Sequence, residues 1–413
     1  MKSPKKLESA DKNKTEKRPL DHRELGQELD LFSFHDVAPG AVFWHGKGMI
    51  IWRELEKYIR KLTDRENYQE TSTPILVKTE LFKKSGHWQH YSENMFWFKN
   101  PRDENEVLSL KPMNCPESTL IYSSRTRSYR DLPLRLAEIT DRLHRNELSG
   151  TLGGLLRVRQ MTQDDAHIYC RPDQIENETS KLMDLVKEFY SNFNMPFSFN
   201  LATQPDKAMG ETGLWQEAER DLETVLKKSK VKYQIKEKDG AFYGPKIDIN
   251  VTDSQNREWT IATIQLDFQI PERMELEYID DQGRKKRPVM IHRAILGTFE
   301  RFIGIILEHY QGALPFWLSP VQVSILPIND KVLKYSEEIF EKLKKAEIRV
   351  ELDSRNESVS KKIREAELQK IPYLLVIGEK EVAANKIAVR ERGKGDLGTM
   401  ALEEFIKKCV LKS

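Results

Sequence analysis

The chain has 413 residues, with 67 Lys and Arg against 65 Asp and Glu for a formal net charge of +2. That balance excludes a uniformly basic nucleic-acid binder, so any RNA contact must come from local patches. With 32% charged and 38% hydrophobic residues, it reads as a soluble, folded chain long enough for two domains, one large and one small.

No apolar run approaches the roughly 20 residues that cross a bilayer, which argues against a membrane protein. The three cysteines, Cys115, Cys170 and Cys409, lack CxxC spacing and fit a reducing, cytoplasmic setting. Residues 1–19 have no apolar core for secretion, and their acidic residues argue against a mitochondrial leader. They read as a disordered lysine-rich tail.

Residues 21–48 show little periodicity. Residues 49–64 then repeat apolar side chains at helical spacing through Ile50, Leu55, Tyr58, Ile59 and Leu62. YQETSTPILV follows as a strand containing Pro74, which cannot donate to a ladder and so places the strand at an edge or an interface. The next segment carries Gly86, His87 and Trp88, and SLKPMNCPES runs from a strand into a turn where Cys115 precedes a proline. Taken by itself, such a cysteine is a small buried hydrophobe.

The stretch RLAEITDRLHRNELSGTLGGLLRVRQMTQDDAHIYC, residues 135–170, is the most informative. Residues 155–169 alternate as a strand does, with Arg157, Arg159, Met161, Gln163, Asp165 and His167 on one face and Leu156, Val158, Ala166 and Ile168 mostly on the other. Arg145 and Glu147 share a face on the preceding arm, and Gly150, Gly153 and Gly154 can turn one arm back on the other as a long hairpin. The solvated side of an ordinary sheet is the plain alternative. Concentrating arginines, a glutamine, an aspartate and a histidine around one hairpin instead offers cations to phosphates and carboxylates to an amine.

Amphipathic helices are expected over 174–193 and 214–230, then strands in VKYQIKE, KIDINVT and EWTIATIQLDF. In PVMIHRAILGTFERFIGIILEHY a strand passes into a helix; Gly297 permits close approach, and Arg301 sits among apolar neighbours. An arginine half-buried in such a helix needs an anion. From Leu318, VQVSILPI, IRVELD, PYLLVIGE and KIAVRER alternate with helices as a small α/β unit, closed by a last helix over 402–411.

Residues 135–170 resemble motif 2 of class II aminoacyl-tRNA synthetases, and RNELSG with RVRQMTQDDAHIYC resembles the threonyl family's version. Helix 49–64 and its Pro74 strand are similar to motif 1, and PVMIHRAILGTFERF to motif 3. The resemblance covers residue 21 to the C-terminus. It implies an α/β fold: a class II antiparallel sheet flanked by helices (an α+β catalytic domain, 20–317) and a small, mostly parallel α/β anticodon-binding domain (318–413). It further implies a cytoplasmic homodimer that joins L-threonine to tRNA(Thr) with ATP through threonyl-adenylate.

What the resemblance implies for individual residues is specific. Cys115, His167 and His292 would hold one Zn²⁺, which the threonine amine and hydroxyl complete. Asp165 would pair with the amine beside Tyr243, and Lys246 would lie near the substrate. Arg145 would hold the α-phosphate and carboxylate; Arg157 and Arg301 the distal phosphates, with Mg²⁺; Glu147 the adenine amino group; and Gln163 would line the same pocket. His87 would stand near the terminal adenosine of the tRNA and help move a proton. Asn356, Arg364, Glu381 and Arg390 match anticodon-reading positions.

Four features depart from the family pattern. Ser118 stands where a histidine is usual, Gly153 replaces a motif 2 loop histidine, and Thr260 replaces a glutamine that lines the nucleotide pocket. Residues 1–19 hold nothing that could fold as the N-terminal editing region, so the resemblance is to a short form. Two other readings compete. A serine, proline or histidine enzyme is disfavoured by the Cys115, His167 and His292 set. A catalytically altered paralogue that binds RNA or regulates translation is disfavoured by Arg145, Glu147, Arg157 and Arg301.

Overall fold

The computed structural model describes residues 18–139, 142–253 and 256–411. The lysine-rich tail therefore lies almost wholly outside the described residues; Arg18 pairs with Glu24 at 2.6 Å. Helix Gly46–Arg65 buries Leu55, Ile59 and Leu62 of the row that the helical spacing marks, but Ile51 takes the core position expected of Ile50, which like Tyr58 is only half-buried. The Pro74 strand is instead broken. Gln69–Glu70 and Leu76–Lys78 form short strands in two different sheets, with the intervening residues irregular. Proline removes a ladder donor and disfavours the pairing geometry of its neighbours, so the segment crosses from one sheet to the other there.

The main sheet has eight strands in the order Tyr233–Lys236, Phe197–Ala202, Lys246–Thr252, Glu258–Asp267, Val289–Ala294, Asp164–Cys170, Leu134–Ile139 and Gln69–Glu70. Neighbours run antiparallel except at the two edges, where the outermost pairs are parallel. Alternation gives the sheet two chemically different faces. Ala137, Ala166, Ile168, Ile264, Leu266 and Ile291 point into the main core, packed against helices Ile175–Asn192 and Phe299–Tyr310. Leu136, Glu138, Asp165, His167, Gln265 and His292 lie on the other face.

The long hairpin expected in 135–170 forms from Leu134–Ile139 and Asp164–Cys170, extended by Leu143–His144 paired with Gln160–Met161. The alternation does not run from residue 155, however. Residues 155–159 are irregular, and Met161 is buried with Leu143 and Val158 rather than shown on the polar face. The change of facing between Met161 and Asp165 has a visible cause: Glu300 accepts the Thr162 amide at 3.0 Å and Gln163 bridges to Thr298, so these two residues are tied to the start of helix Phe299–Tyr310.

A three-stranded antiparallel sheet, Leu76–Lys78, Asp103–Leu110 and Trp97–Asn100, lies beside the main one. Lys111 follows it and spends its three donors on Thr73 O (3.1 Å), Thr73 Oγ1 (2.7 Å) and Glu138 Oε1 (2.9 Å). Both members of this ion pair are almost fully buried.

In the C-terminal part, Val350–Leu352, Val323–Pro327 and Tyr373–Ile377 pair in parallel, as the alternation anticipates. Ile387–Glu391 then runs antiparallel and gains a further strand, Gly395–Met400, that the sequence pattern does not announce. A separate core forms around Val323, Ile325, Leu375, Val389 and Phe405. The two parts meet through Lys47 Nζ on Gln369 Oε1 at 2.8 Å and Arg349 on Glu54 at 3.0 Å.

Lys111→Met would leave Glu138 charged and buried without its cation. It is expected to cost about 3–5 kcal/mol in urea unfolding, whereas the double change Lys111→Met with Glu138→Leu recovers most of that loss.

Candidate active site

The site is assembled by register. His167 faces His292 across adjacent antiparallel strands, and His292 faces Gln265 on the next. Directly opposed residues share a face, so three separate segments deliver one polar row. The two imidazoles meet edge to face at 4.9 Å. Cys115 enters at the start of helix Cys115–Ser123, preceded by Asn114, whose side chain makes no cap bond. The Asn114 side-chain amide donates to Asp165 Oδ2 at 2.9 Å, which holds the helix start against the strand.

Together these groups bound a cavity of about 120 Å³ whose walls include Cys115, Arg145, Gln163, Asp165, His167, Tyr243 and His292. Tyr243 reaches it because its turn presses on the sheet: a Cβ on Gly244 would lie 1.8 Å from Leu266 O, so only glycine fits. Its hydroxyl donates to Gln265 Oε1, and its ring stacks on His292 at 4.8 Å.

Among the described residues, Cys115, His167 and His292 are the one group of His, Cys, Asp and Glu whose ligand atoms come within 4.8 Å of one another, and all three are buried. The donor set fits a borderline-soft divalent ion, two imidazoles and a thiol. Asp267 strengthens the fit. Its Oδ2 lies 2.8 Å from His292 Nε2, and its Oδ1 accepts the Gln269 and Ile270 amides, so Nε2 is held as a donor and Nδ1 is left as the acceptor nitrogen. Burial lowers the His167 pKa to about 4, keeping the ring neutral. Burial, reinforced by Asp165, pushes the Cys115 thiol up. A cation at this point would relieve that penalty.

His87 is fully buried, with Nε2 at 3.2 Å from Cys115 Sγ and Nδ1 at 2.8 Å from Ser85 Oγ. Burial holds its pKa down at about 3. The structure thus sets His87 behind the cysteine rather than at an open surface. Lys246 does not line the cavity; its ammonium is engaged by Asp248 at 2.7 Å.

The second half of the site is cationic. Arg301 Nε donates to Leu156 O at 2.9 Å and Nη1 to Thr260 O at 3.2 Å, with the guanidinium over the Trp259 ring. Burial first, then Arg145 and Arg157 nearby, lower its pKa to about 10. A largely buried guanidinium whose charge is opposed by two neighbouring arginines describes a place prepared for an anion. Glu147 accepts from Arg157 at 2.9 Å, and Arg145 Nε donates to Pro112 O at 3.3 Å.

Of the four positions matched in the C-terminal part, Asn356 and Arg364 are exposed, and Glu381 accepts the Gly378 amide at 2.9 Å as a helix cap. Arg390 lies half-buried, 3.9 Å from Glu367. They sit on different elements, and no hydrogen bond joins one to another.

Thr263, Gln265 and Asp267 escaped the sequence reading, although IATIQLDF alternates as clearly as the motif 2 arm does. Glu300, next to Arg301, escaped it as well; it is buried, and it positions Thr162.

The comparisons agree with this geometry. Residues 96–310 match the family described as tRNA synthetase class II core domain (G, H, P, S and T), and residues 322–412 match an anticodon binding domain. The chain belongs to the class II tRNA synthetase core family. Within it, the relatives named here are described as threonyl enzymes. A threonine–tRNA ligase of Desulforamulus reducens is 51% identical over 95% of this chain, and one of Caldanaerobacter subterraneus is 50% identical over 96%. The chain spans 61% of the length of each of these two. A crystal structure described as the RNA binding domain of threonyl-tRNA synthetase from Cryptosporidium parvum superposes with a TM-score of 0.91 at 41% identity, covering 95% of this chain and 98% of that one. A putative threonyl-tRNA synthetase of Aeropyrum pernix gives 0.80 at 28% identity, covering 95% and 96%.

Burial raises the Glu300 carboxyl to about 7. A carboxyl raised in the folded state favours folding when protonated, an advantage complete below the ordinary carboxyl range and lost as pH climbs through about 7. Relative to Glu300→Gln, the wild type should therefore lose on the order of 3 kcal/mol between pH 4.5 and 7.5. Urea midpoints for both proteins across that range measure it, and parallel pH curves would remove Glu300 as the cause.

Proposed function

We propose that the protein ligates L-threonine to tRNA(Thr) in two steps, ATP first giving threonyl-adenylate and pyrophosphate, the tRNA ribose hydroxyl then taking the threonyl group. The observation that carries this reading is that Arg145 belongs to both halves: it lines the cavity of the thiol and imidazoles and lies close enough to Arg301 to oppose its charge. A buried Cys115, His167, His292 and Asp165 cluster suits an amino alcohol, and Arg145, Arg157 and Arg301 suit a triphosphate.

Asp165 accepts the substrate ammonium, with Tyr243 closing the pocket over it. Arg145 neutralises the carboxylate and α-phosphate as they approach, while Arg157 and Arg301 take the distal phosphates alongside Mg²⁺. Glu147 accepts from the adenine amino group, and Gln163 borders the same pocket. Little covalent work is asked of the chain beyond alignment and charge neutralisation. Cys115, His167 and His292 would hold Zn²⁺, which would supply Lewis acidity that favours a hydroxyl-bearing substrate.

His87 acts behind Cys115, near the acceptor end of the tRNA, and Lys246 acts from the neighbouring strand through its tie to Asp248. Asn356, Arg364, Glu381 and Arg390 would read unstacked anticodon bases, on a domain of residues 318–413 beside a catalytic domain of residues 20–317. The reading includes a homodimer in the cytoplasm. No helix among the described residues is long and apolar enough to cross a membrane.

ATP–pyrophosphate exchange on metal-quantified protein tests the reading. Threonine should support exchange, serine should do so more weakly, and valine, without a hydroxyl, should fall by roughly 10⁴ or more. Chelation should abolish the threonine signal, and His292→Ala should lower bound zinc to well under one per chain. Arg301→Ala should cost roughly 10²–10³ in exchange rate. A folded, zinc-loaded protein that binds tRNA yet exchanges with none of these amino acids would point to the RNA-binding paralogue.

A further inference from the structure

Helix His22–Glu28 lies far in sequence from every motif above, yet its first residue is buried in the wall of the motif 2 arm. Asp21 caps it, accepting from the Arg23 and Glu24 amides, while Glu24 returns a bond to the Asp21 amide. His22 is 3% exposed. Its Nδ1 lies 2.8 Å from Glu308 Oε1, and its Nε2 lies 3.1 Å from the Leu155 amide nitrogen. A backbone N–H can only donate, so Nε2 is the acceptor and Nδ1–H donates to the carboxylate. The tautomer is therefore set by its two partners.

Those partners connect the arginine pocket to the N-terminal helix. Glu308 belongs to helix Phe299–Tyr310, the element that carries Arg301. Leu155 precedes Leu156, whose carbonyl accepts Arg301 Nε at 2.9 Å. His22 is thus gripped by one end of the Arg301 helix and itself grips the arm that orients Arg301. The fit is close. Gly154 has φ +58, and a Cβ there would stand 2.2 Å from His22 Nε2. Leu20 and Gln311 add a reciprocal pair, amide to Oε1 at 2.9 Å and Nε2 to carbonyl at 3.1 Å, that holds the segment down.

We propose that His22 is a positioning residue of the ATP site: it latches residues 154–156 so that Leu156 O aims the Arg301 guanidinium at the phosphates. Its effect on catalysis rests on the ligase reading; the latch itself does not.

Two substitutions divide the imidazole's contacts. In His22→Gln the side-chain oxygen reaches the Nε2 position and keeps the Leu155 bond, losing the donor to Glu308. In His22→Asn the amide nitrogen keeps the Glu308 bond and loses Leu155. A general loss of stability would lower the melting temperature and the activity of both together. Positioning predicts asymmetry at similar melting temperatures: KM for ATP in the exchange assay rises at least about fivefold further in His22→Asn than in His22→Gln.

Native-state hydrogen exchange at the Leu155 amide reads the latch without activity. Protection should persist in the wild type and His22→Gln and be lost in His22→Asn. Equal protection in both variants, or an unprotected Leu155 amide in the wild type, would overturn the latch. Equal KM values with unequal protection would overturn its role in ATP binding. Absence of exchange activity in the wild type would instead count against the ligase reading, leaving the amide measurement to decide the latch.

Discussion

The pairing of Asp164–Cys170 with Val289–Ala294 is the constraint on which the site depends. It places His167 opposite His292 and turns Ala166, Ile168 and Ile291 to the other side. Because strand alternation has a period of two, the polar row and the apolar core are one pattern seen from its two faces. A hydrophobic face with no alternative place to go enforces the register. That enforcement sets the two imidazoles of His167 and His292 side by side, and the start of helix Cys115–Ser123 adds the thiol, so that the three ligand atoms lie within 4.8 Å of one another.

The site also shows how buried charge is accommodated. Lys111 and Glu138 satisfy each other and Thr73 completely, at the seam between the small sheet and the main one. Arg301 is treated differently. Two backbone carbonyls occupy only part of its donor capacity, and its nearest ionic neighbours include two further cations. The first arrangement has nothing left to bind and serves the fold. The second leaves donors unspent, which is what recognition of a polyanion requires.

Much of this was legible where the signal is local. Helix Gly46–Arg65, the strand Lys246–Thr252 and the front-row residues Asp165 and His167 follow from spacing alone. The grouping of Cys115 with two distant histidines came only through family resemblance, since no periodicity links a helix start to two strands that only their register sets side by side. Met161 was misplaced because Glu300 and Thr298 interrupt the alternation from outside the hairpin. His22 was passed over for a similar reason: its partners, Leu155 and Glu308, are 133 and 286 residues away. Local pattern reports what a segment will be, and long-range hydrogen bonds decide where it stops.

The shared use of one sheet by core and site bears on which length changes the chain can absorb. Adding or deleting one residue within Asp164–Cys170 or Val289–Ala294 would reverse the facing of every side chain beyond it, sending imidazoles into hydrocarbon and isoleucines toward substrate. Fold and chemistry would fail in the same event, with no intermediate of partial function for selection to improve. The turn around Gly150 and Gly153 has no such coupling, since a Cβ at either position meets no atom within 4 Å. Variation in length among descendants of this chain should collect there, while the strands change only by substitution.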